Sequence, residues 1–321
     1  MKTLQPVIET NNLTKVYQSR SGDVRALDDL NLTVRQGEIF GYLGPNGAGK
    51  TTTIRMLLDL IRPTAGNATI FGLDTRVHSV EIHRRVGFLP GELNLWRGRT
   101  GHQVVRYIGS VRGMDDLSHA HELAERLELD LSRRVRDYSS GNRRKLGLVI
   151  AMMHQPELLI LDEPTNGLDP LVQQTFNEMM REARAEGRTV FLSSHLLGEV
   201  QAICDRVGIL REGRLRAVET VEKLMHVDFR WVRLWLRETV PAATVLNLAH
   251  IDGVSDVRAE DNHLSLRLTG DFAPVLEAVR GLYIKDIRVE EPTLEEVFLT
   301  FYSNNGVAAS RAETQTAKEV L

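Results

Sequence analysis

Short apolar runs alternate along the chain with stretches of helical hydrophobic spacing. Three runs are apolar at every position, namely Ile39–Leu43 apart from its glycine, Leu158–Leu161 and Val190–Leu192. Such runs favour strands buried on both faces, because a strand with one wet face would alternate apolar and polar residues. Between Ile54 and Ile61, apolar residues instead recur three to four positions apart, as on one face of a helix. The pattern predicts an α/β fold with a parallel sheet.

The pattern changes beyond about residue 225. Phe229–Trp235 alternates like a strand, and the segments after it predict a helix at 240–249, strands at 254–258 and 264–268, a helix at 272–282 and a strand at 284–289. This β-α-β-β-α-β order is the ferredoxin-like arrangement. The region has no catalytic constellation, which favours binding or regulation over chemistry.

These patterns predict two domains and a tail. The first domain covers 1–222 and includes a helical insert at about 92–137, and the ferredoxin-like accessory domain covers 225–303. It ends in an amphipathic helix at Pro292–Leu299. Residues 304–321 are polar and poor in large apolar side chains, so this tail is predicted to be disordered.

Composition narrows the class of protein. The 321 residues carry a net charge of −3, which argues against a general nucleic-acid binder, so no nucleic-acid partner is expected. No apolar run approaches the roughly 20 residues that span a bilayer, and the N-terminus has no hydrophobic signal core. We therefore expect a cytoplasmic protein. The single cysteine, Cys204, is interpreted as a small buried side chain, and the basic run Arg143–Lys145 as solvated surface.

The segment after the first buried strand carries the strongest chemical signal. It reads Gly44, Pro45, Asn46, Gly47, Ala48, Gly49, Lys50, Thr51, Thr52. Glycines let a backbone turn its N–H groups onto phosphate oxygens, where a Cβ would collide. Lys50 can then reach the β- and γ-phosphates, and the Thr51 hydroxyl can bind Mg²⁺. With a strand before it and a helix after it, the loop predicts a nucleotide-phosphate site rather than an ordinary turn.

Polar residues also end the other two buried strands. Asp162 and Glu163 follow Leu158–Leu161, and ligands of open α/β sheets bind at the carboxyl ends of strands. Asp162 is expected to hold Mg²⁺ through water, and Glu163 to orient or deprotonate an attacking water. His195 follows Val190–Leu192 at the same edge, where it could contact the γ-phosphate, although a lone histidine is more often structural.

Two further segments have alternative interpretations on their residues alone. Tyr17, shortly before the phosphate loop, could stack on adenine or could simply pack in a strand. The segment from Ser139 to Asn142 places Ser and Gly before a helix, which is either an ordinary helix cap or a second anion site.

Taken together, these segments resemble the ATP-binding subunits of ABC transporters, over roughly residues 7–217. The resemblance implies a P-loop ABC ATPase core with an antiparallel β subdomain and a helical subdomain, and it implies ATP and Mg²⁺ as ligands. Gly44–Thr52 match the Walker A loop, and Asp162 with Glu163 the Walker B pair. The resemblance assigns roles to further residues, namely Tyr17 on adenine, Ser139, Gly141 and Asn142 in the signature motif, Asp169 in the D-loop, and His195 as the switch histidine.

Two motifs depart from the family pattern. In the signature motif, Ser140 replaces the first glycine and Asn142 the glutamine. After Pro90, where many relatives have a Mg²⁺-contacting glutamine, this chain has Gly91 followed by Glu92, which is a candidate substitute ligand for the metal. Glu163 is retained, so both sites of a homodimer are expected to hydrolyse ATP.

The C-terminal segment Pro292–Phe298 is similar to the ends of bacterial daunorubicin-resistance-type exporter ATPases. This resemblance implies a multidrug-type exporter of drugs, lipids or other amphiphiles, in which a separate permease carries the pathway. The protein would then bind the cytoplasmic face of the membrane through that permease and pair with a second copy or a homologous subunit. Residues 92–96 would face the permease, although Leu93 and Trp96 are equally explained by packing.

Two other classes of function compete with transport. A non-transport ABC ATPase would act on ribosomes or DNA, but such proteins usually have two nucleotide-binding domains or a long coiled coil. This chain has one Walker A loop and no sustained heptads. A P-loop kinase or GTPase is disfavoured by the consecutive Asp162 and Glu163, by the signature segment and by His195.

Overall fold

The computed structural model describes residues 5–18, 22–225 and 229–290. The chain divides into two compact units, Met1–Val221 and Glu222–Leu321. The strands of the first unit are β1 (Pro6–Tyr17), β2 (Val24–Arg35), β3 (Ile39–Leu43), β4 (Ala65–Ile70), β5 (Leu73–Asp74), β6 (Val86–Leu89), β7 (Leu158–Asp162), β8 (Thr189–Ser194), β9 (Arg206–Arg211) and β10 (Arg214–Thr220). Its helices are α1 (Lys50–Leu57), α2 (Ser79–Arg85), α3 (Gly101–Val111), α4 (Ser118–Arg126), α5 (Ser140–Met152), α6 (Pro170–Ala185) and α7 (Leu197–Ile203), and α8 (Val221–Met225) follows at the unit boundary.

A six-stranded sheet in the order β10-β9-β3-β8-β7-β6 forms the centre of the first unit. Its strands from β9 to β6 run parallel, and β10 is antiparallel at the edge. The three runs predicted as buried strands are β3, β7 and β8, and every residue in them is buried. Because β8 lies between β3 and β7, the carboxyl ends of all three strands meet at one edge.

A second, antiparallel sheet in the order β2-β1-β4-β5 shares one hydrophobic core with the central sheet. Aromatic rings fill the middle of this core, where Phe191 stacks on Phe40 with ring centroids 5.9 Å apart and meets Tyr42 at 5.3 Å. The Tyr42 hydroxyl also lies 3.2 Å from Thr53 Oγ1 on α1. This contact fixes the first helix against the strand that precedes the phosphate loop.

The helical insert is built from α3 and α4 rather than one continuous run. A capping box begins α3, in which the Thr100 side chain accepts from the Gln103 N–H and the Gln103 side chain accepts from the Thr100 N–H. Gly113, with φ of 70°, takes the left-handed conformation that typically follows a helix end. The next helix, α5, starts at Ser140 and returns the chain to the central sheet.

The second unit contains β11 (Phe229–Leu236), α9 (Ala242–Ala249), β12 (Val254–Glu260), β13 (His263–Thr269), α10 (Ala273–Ala278) and β14 (Ile284–Glu290). This is the β-α-β-β-α-β order that the sequence predicts. Its strands form an antiparallel sheet in the order β12-β13-β11-β14, and Val232, Leu234 and Leu266 lie in its core. The predicted helix at 292–299 and the predicted tail lie outside the described residues.

Among the residues that the structure describes, no helix combines the length and the apolar character needed to cross a bilayer.

Candidate functional site

The loop between β3 and α1 has a backbone path that only glycine allows at its key positions. Gly47 and Gly49 have φ of 81° and 110°, in the left-handed region. A Cβ on Gly49 would lie 2.5 Å from the Ala26 carbonyl oxygen, and one on Gly44 would lie 2.3 Å from that of Leu210. Both approaches are too close for any side chain. The loop therefore has the compact, glycine-dependent form that a phosphate cradle requires.

Lys50, the first residue of α1, points its ammonium group back into this loop. Its side chain is 6% exposed, and Nζ donates to the Gly44 carbonyl at 2.6 Å. The same Nζ lies 3.3 Å from Glu163 Oε1. A buried ammonium held by carbonyls and one carboxylate is well placed to bind a polyphosphate that enters the loop.

Thr51 and Asp162 meet where a metal is expected. The Thr51 hydroxyl donates to Asp162 Oδ2 at 2.8 Å, and the Ser193 hydroxyl donates to Asp162 Oδ1 at 2.5 Å. Asp162 is 1% exposed, and a Cβ on Gly91 would lie only 3.1 Å from its Oδ2. Hydroxyl and carboxylate oxygens are the ligands that Mg²⁺ prefers, so these residues fit that ion.

Glu163 lies at the centre of the cluster. Its Oε2 is 2.7 Å from His195 Nδ1, and its Oε1 faces Lys50. Its backbone has φ of 52°, an uncommon conformation for glutamate, and its N–H donates to Ser193 Oγ at 3.1 Å. The carboxylate can orient a water and accept its proton, which is the chemistry of a hydrolase.

The predicted signature segment is a separate candidate site. Ser139 caps α5 by accepting from the Asn142 N–H at 3.1 Å, and a Cβ on Gly141 would lie 2.7 Å from the Gly167 carbonyl oxygen. Asp169 caps α6 in turn, and the bond from the Val172 N–H lowers the pKa of its carboxyl. No contact among the described residues joins this segment to Lys50 or Thr51.

Two predicted ligand contacts stay predictions. Tyr17 ends β1 in a half-exposed position, with Lys15 Nζ 5.1 Å from its ring. It pairs with Val24 on β2, two residues before Ala26, whose carbonyl approaches the phosphate loop. Glu92 is exposed, and the described contacts of Asp162 do not include it, whereas the preceding Gly91 lies beside that carboxylate.

Arg144 is the main site residue that sequence reasoning misses. The interpretation of Arg143–Lys145 as solvated surface is wrong for two of its three residues, because Arg144 and Lys145 are buried. The Arg144 guanidinium donates to backbone carbonyls on both loops that frame the cluster, after β6 and after β7. A signal was available, since Arg144 shares a helix face with Leu148 and Ala151, four and seven residues further along the same apolar helix.

A second group of residues supports the cluster. Glu199 on α7 accepts from the hydroxyl of Thr165 and, at 2.6 Å, from that of Ser194. Ser193 binds Asp162 because the two residues are register partners on neighbouring parallel strands. Their roles depend on which strands pair, and strand pairing cannot be read from either segment alone.

Comparison with known proteins gives one consistent result. The ABC transporter family matches residues 27–166. The chain is 40% identical to the bacitracin transport ATP-binding protein BcrA of Bacillus licheniformis, over 92% of this chain and 97% of that protein. It is 34% identical to the daunorubicin resistance ATP-binding protein DrrA3 of Streptomyces coeruleorubidus, over 88% and 92%.

The fold has solved counterparts. An ATP-binding cassette solved as a dimer in a post-hydrolysis state with ADP and phosphate superimposes with a TM-score of 0.61 at 23% identity. The match covers 67% of this chain and 98% of that one, and at this identity it supports the fold alone. The two curated relatives align over nearly their whole lengths, so the similarity is not confined to the phosphate loop. The chain therefore belongs to the ABC transporter family, as an ATP-binding subunit that hydrolyses ATP.

Proposed function

We propose that this chain is the ATPase of an exporter, in which ATP-driven closing of a dimer powers transport by a separate membrane permease. Five side chains that meet at one sheet edge carry the proposal, namely Lys50, Thr51, Asp162, Glu163 and His195. Together they supply groups that can bind phosphate, hold Mg²⁺ and activate a water. Relatives named for bacitracin transport and daunorubicin resistance support export of an amphiphilic compound.

Each residue in the cluster has a distinct task in this proposal. Lys50 and the N–H groups of Gly44–Gly49 bind the β- and γ-phosphates of ATP. Thr51 and, through water, Asp162 would hold Mg²⁺, which would neutralise charge on the phosphate oxygens. Glu163 takes a proton from the attacking water, and His195 holds the Glu163 carboxylate and contacts the γ-phosphate.

A second subunit completes the site. Ser139 and Gly141 lie at an accessible helix N-terminus, which attracts anions, and have no described contact with the Lys50 cluster of their own chain. In a head-to-tail dimer, each signature segment can bind the γ-phosphate held by the other subunit, as the family resemblance implies. Asp169 would lie beside this junction.

Docking to a permease has a candidate surface on the helical insert. Trp96 and Tyr107 meet edge to face at 5.0 Å and are 50% and 54% exposed. Arg99, Gln103 and Arg106 line the same depression. Paired exposed aromatics with a polar rim are typical of protein interfaces. We assign the second unit, predicted as 225–303, a binding or regulatory role, because its sequence shows no catalytic constellation.

Affinity purification from native membranes tests this function. We expect a multi-span permease to purify with the full-length tagged chain, and Trp96→Ala to reduce its recovery at least about fivefold, as removal of an aromatic interface residue does. Val77→Ala, which shortens an exposed apolar side chain outside the insert, is the matched control and should recover it fully. Recovery of ribosomal or DNA-repair proteins without a permease would contradict export and favour a non-transport ABC ATPase.

A further inference from the structure

Arg144 uses its whole guanidinium group on backbone carbonyls. Nε donates to Pro164 at 3.2 Å, and Nη1 donates to Pro90 at 2.6 Å and to Gly91 at 3.1 Å. Nη2 donates to the carbonyls of Asp162 and Glu163. An arginine has five N–H donors, and here each has a carbonyl acceptor. A single side chain of α5 therefore joins the loop after β6 to the loop after β7.

The buried environment of this guanidinium disfavours its charged form. Arg144 is only 4% exposed, and burial lowers the pKa of its guanidinium below the usual value. A buried charge without compensation destabilises a protein strongly, and here five carbonyl dipoles and the nearby carboxylates of Asp162 and Glu163 compensate it. An apolar residue could fill the same space without that cost. The arrangement therefore indicates a role in fixing the carbonyls rather than in filling the core.

One of those carbonyls belongs to Glu163, whose backbone is strained. A left-handed glutamate persists only where its neighbours hold it, and Glu163 is held on both sides. Ser193 accepts from its N–H, and Arg144 donates to its C=O. This pair of bonds fixes the φ of 52° from which the Glu163 carboxylate reaches Lys50 and His195.

We propose that Arg144 is a positioning residue for hydrolysis, which holds Glu163 in its productive conformation and ties that conformation to the loop at Pro90 and Gly91. The inference rests on the general-base role proposed above for Glu163. The chain runs from Pro90 and Gly91 to Trp96, which is part of the proposed docking surface. The guanidinium therefore also connects the segment that leads to this surface with the Glu163 carboxylate. Nucleotide binding by the Gly44–Thr52 loop does not depend on it.

Steady-state kinetics of the full-length chain with MgATP separate these roles. Arg144→Gln removes the guanidinium group that joins the two loops, so the Glu163 backbone can leave its left-handed conformation. We expect kcat to fall about 10- to 100-fold, because a displacement of roughly 1 Å in a catalytic group has an effect of this size. KM and the Kd of a fluorescent ATP analogue should stay within about twofold, since the phosphate loop is untouched. A variant that merely loosens the fold would instead weaken binding together with turnover.

Two further variants complete the experiment. Arg144→Lys keeps the buried charge but cannot bridge both loops, so its kcat should also fall while the protein stays folded. Arg112→Gln is the control, because Arg112 likewise donates to carbonyls, at His83 and at Val86, the first residue of β6, away from the site. Its kcat should match that of the unsubstituted chain. Unchanged kcat in both Arg144 variants would overturn the inference alone, whereas Glu163→Gln with normal kcat would overturn the base assignment beneath it.

Discussion

At the scale of single residues, the site depends on one carboxylate with two different partners. Glu163 places one oxygen near a buried ammonium, on Lys50, and the other on an imidazole nitrogen, on His195. The first contact orients the carboxylate toward the Gly44–Thr52 loop, and the second holds it at the end of β8. A glutamine side chain has nearly the same shape and could still form hydrogen bonds with Lys50 and His195. It could not take a proton from water.

Glu163→Gln is therefore expected to separate ATP binding from hydrolysis. The kcat should fall about 10²- to 10⁴-fold, the range associated with loss of a general base. ATP should still bind, so MgATP should produce a stable nucleotide-bound dimer that size-exclusion chromatography detects. Glu157→Gln, at an exposed glutamate paired with Arg85, is the control and should leave kcat unchanged. Normal turnover by Glu163→Gln would remove this residue from the base role.

Residue types that signal chemistry could be read from the sequence, but their supporting partners could not. Gly44, Lys50 and Asp162 are identifiable because spacing and a preceding buried strand fix their place. Arg144 looks like part of a surface run, since its acceptors are backbone atoms that the sequence does not mark. Its role follows only once α5 packs beneath the ends of β6 and β7.

At the scale of elements, the N-terminus of α5 is held in place by close backbone packing. Ser139 caps the helix, and Gly141 lies so close to the Gly167 carbonyl that a Cβ would be 2.7 Å from it. This contact sets the distance between the start of α5 and the turn that leads into α6. Any side chain at Gly141 would have to displace one of these two segments.

Gly141→Ala should consequently lose hydrolysis without losing ATP binding. Displacement of the α5 N-terminus should lower kcat at least about tenfold, because misplacement of a phosphate-contacting group is amplified in the transition state. The Kd for ATP of the single chain should stay within about twofold, since the Gly44–Thr52 loop is separate. Gly98→Ala is the matched control, because a Cβ there meets open space. Equal kcat values for the two variants would argue against a role for the signature segment.

Strands that are buried along their whole length could be predicted from the sequence, whereas strands with irregular pairing could be predicted only in part. The fully apolar strands β3, β7 and β8 follow directly from the sequence. In contrast, β1 and β2 each run for 12 residues, although only residues 7–9 and 30–34 in this part of the sequence have a clear strand-like pattern. Register shifts within their pairing interrupt the alternation on which strand prediction depends.

At the scale of the whole molecule, the proposed dimer requires the first unit to hold two half-sites rather than one complete site. The phosphate loop and the Asp162–Glu163 pair form one cluster, and the Ser139–Asn142 segment forms another without a described contact to it. A head-to-tail dimer would use both halves twice, because each interface then pairs the first half-site of one chain with the second half-site of the other. The ATPase activity of a mixture of two defective chains can therefore test this arrangement.

Lys50→Ala should abolish most ATP binding in its own phosphate loop while leaving its signature segment intact, and Gly141→Ala should do the reverse. When the two are mixed equally, half of the dimers pair unlike chains, and each of these contains one intact composite site. ATPase activity should recover to about a quarter of that of the unsubstituted protein, given random pairing in two-fold dimers. A mixture of Lys50→Ala with Glu163→Gln is the negative control, because both defects lie in the same half-site and no composite site is intact. Recovery in the first mixture alone would establish that the signature segment acts across the interface, whereas no recovery at any ratio would mean that each chain completes its own site.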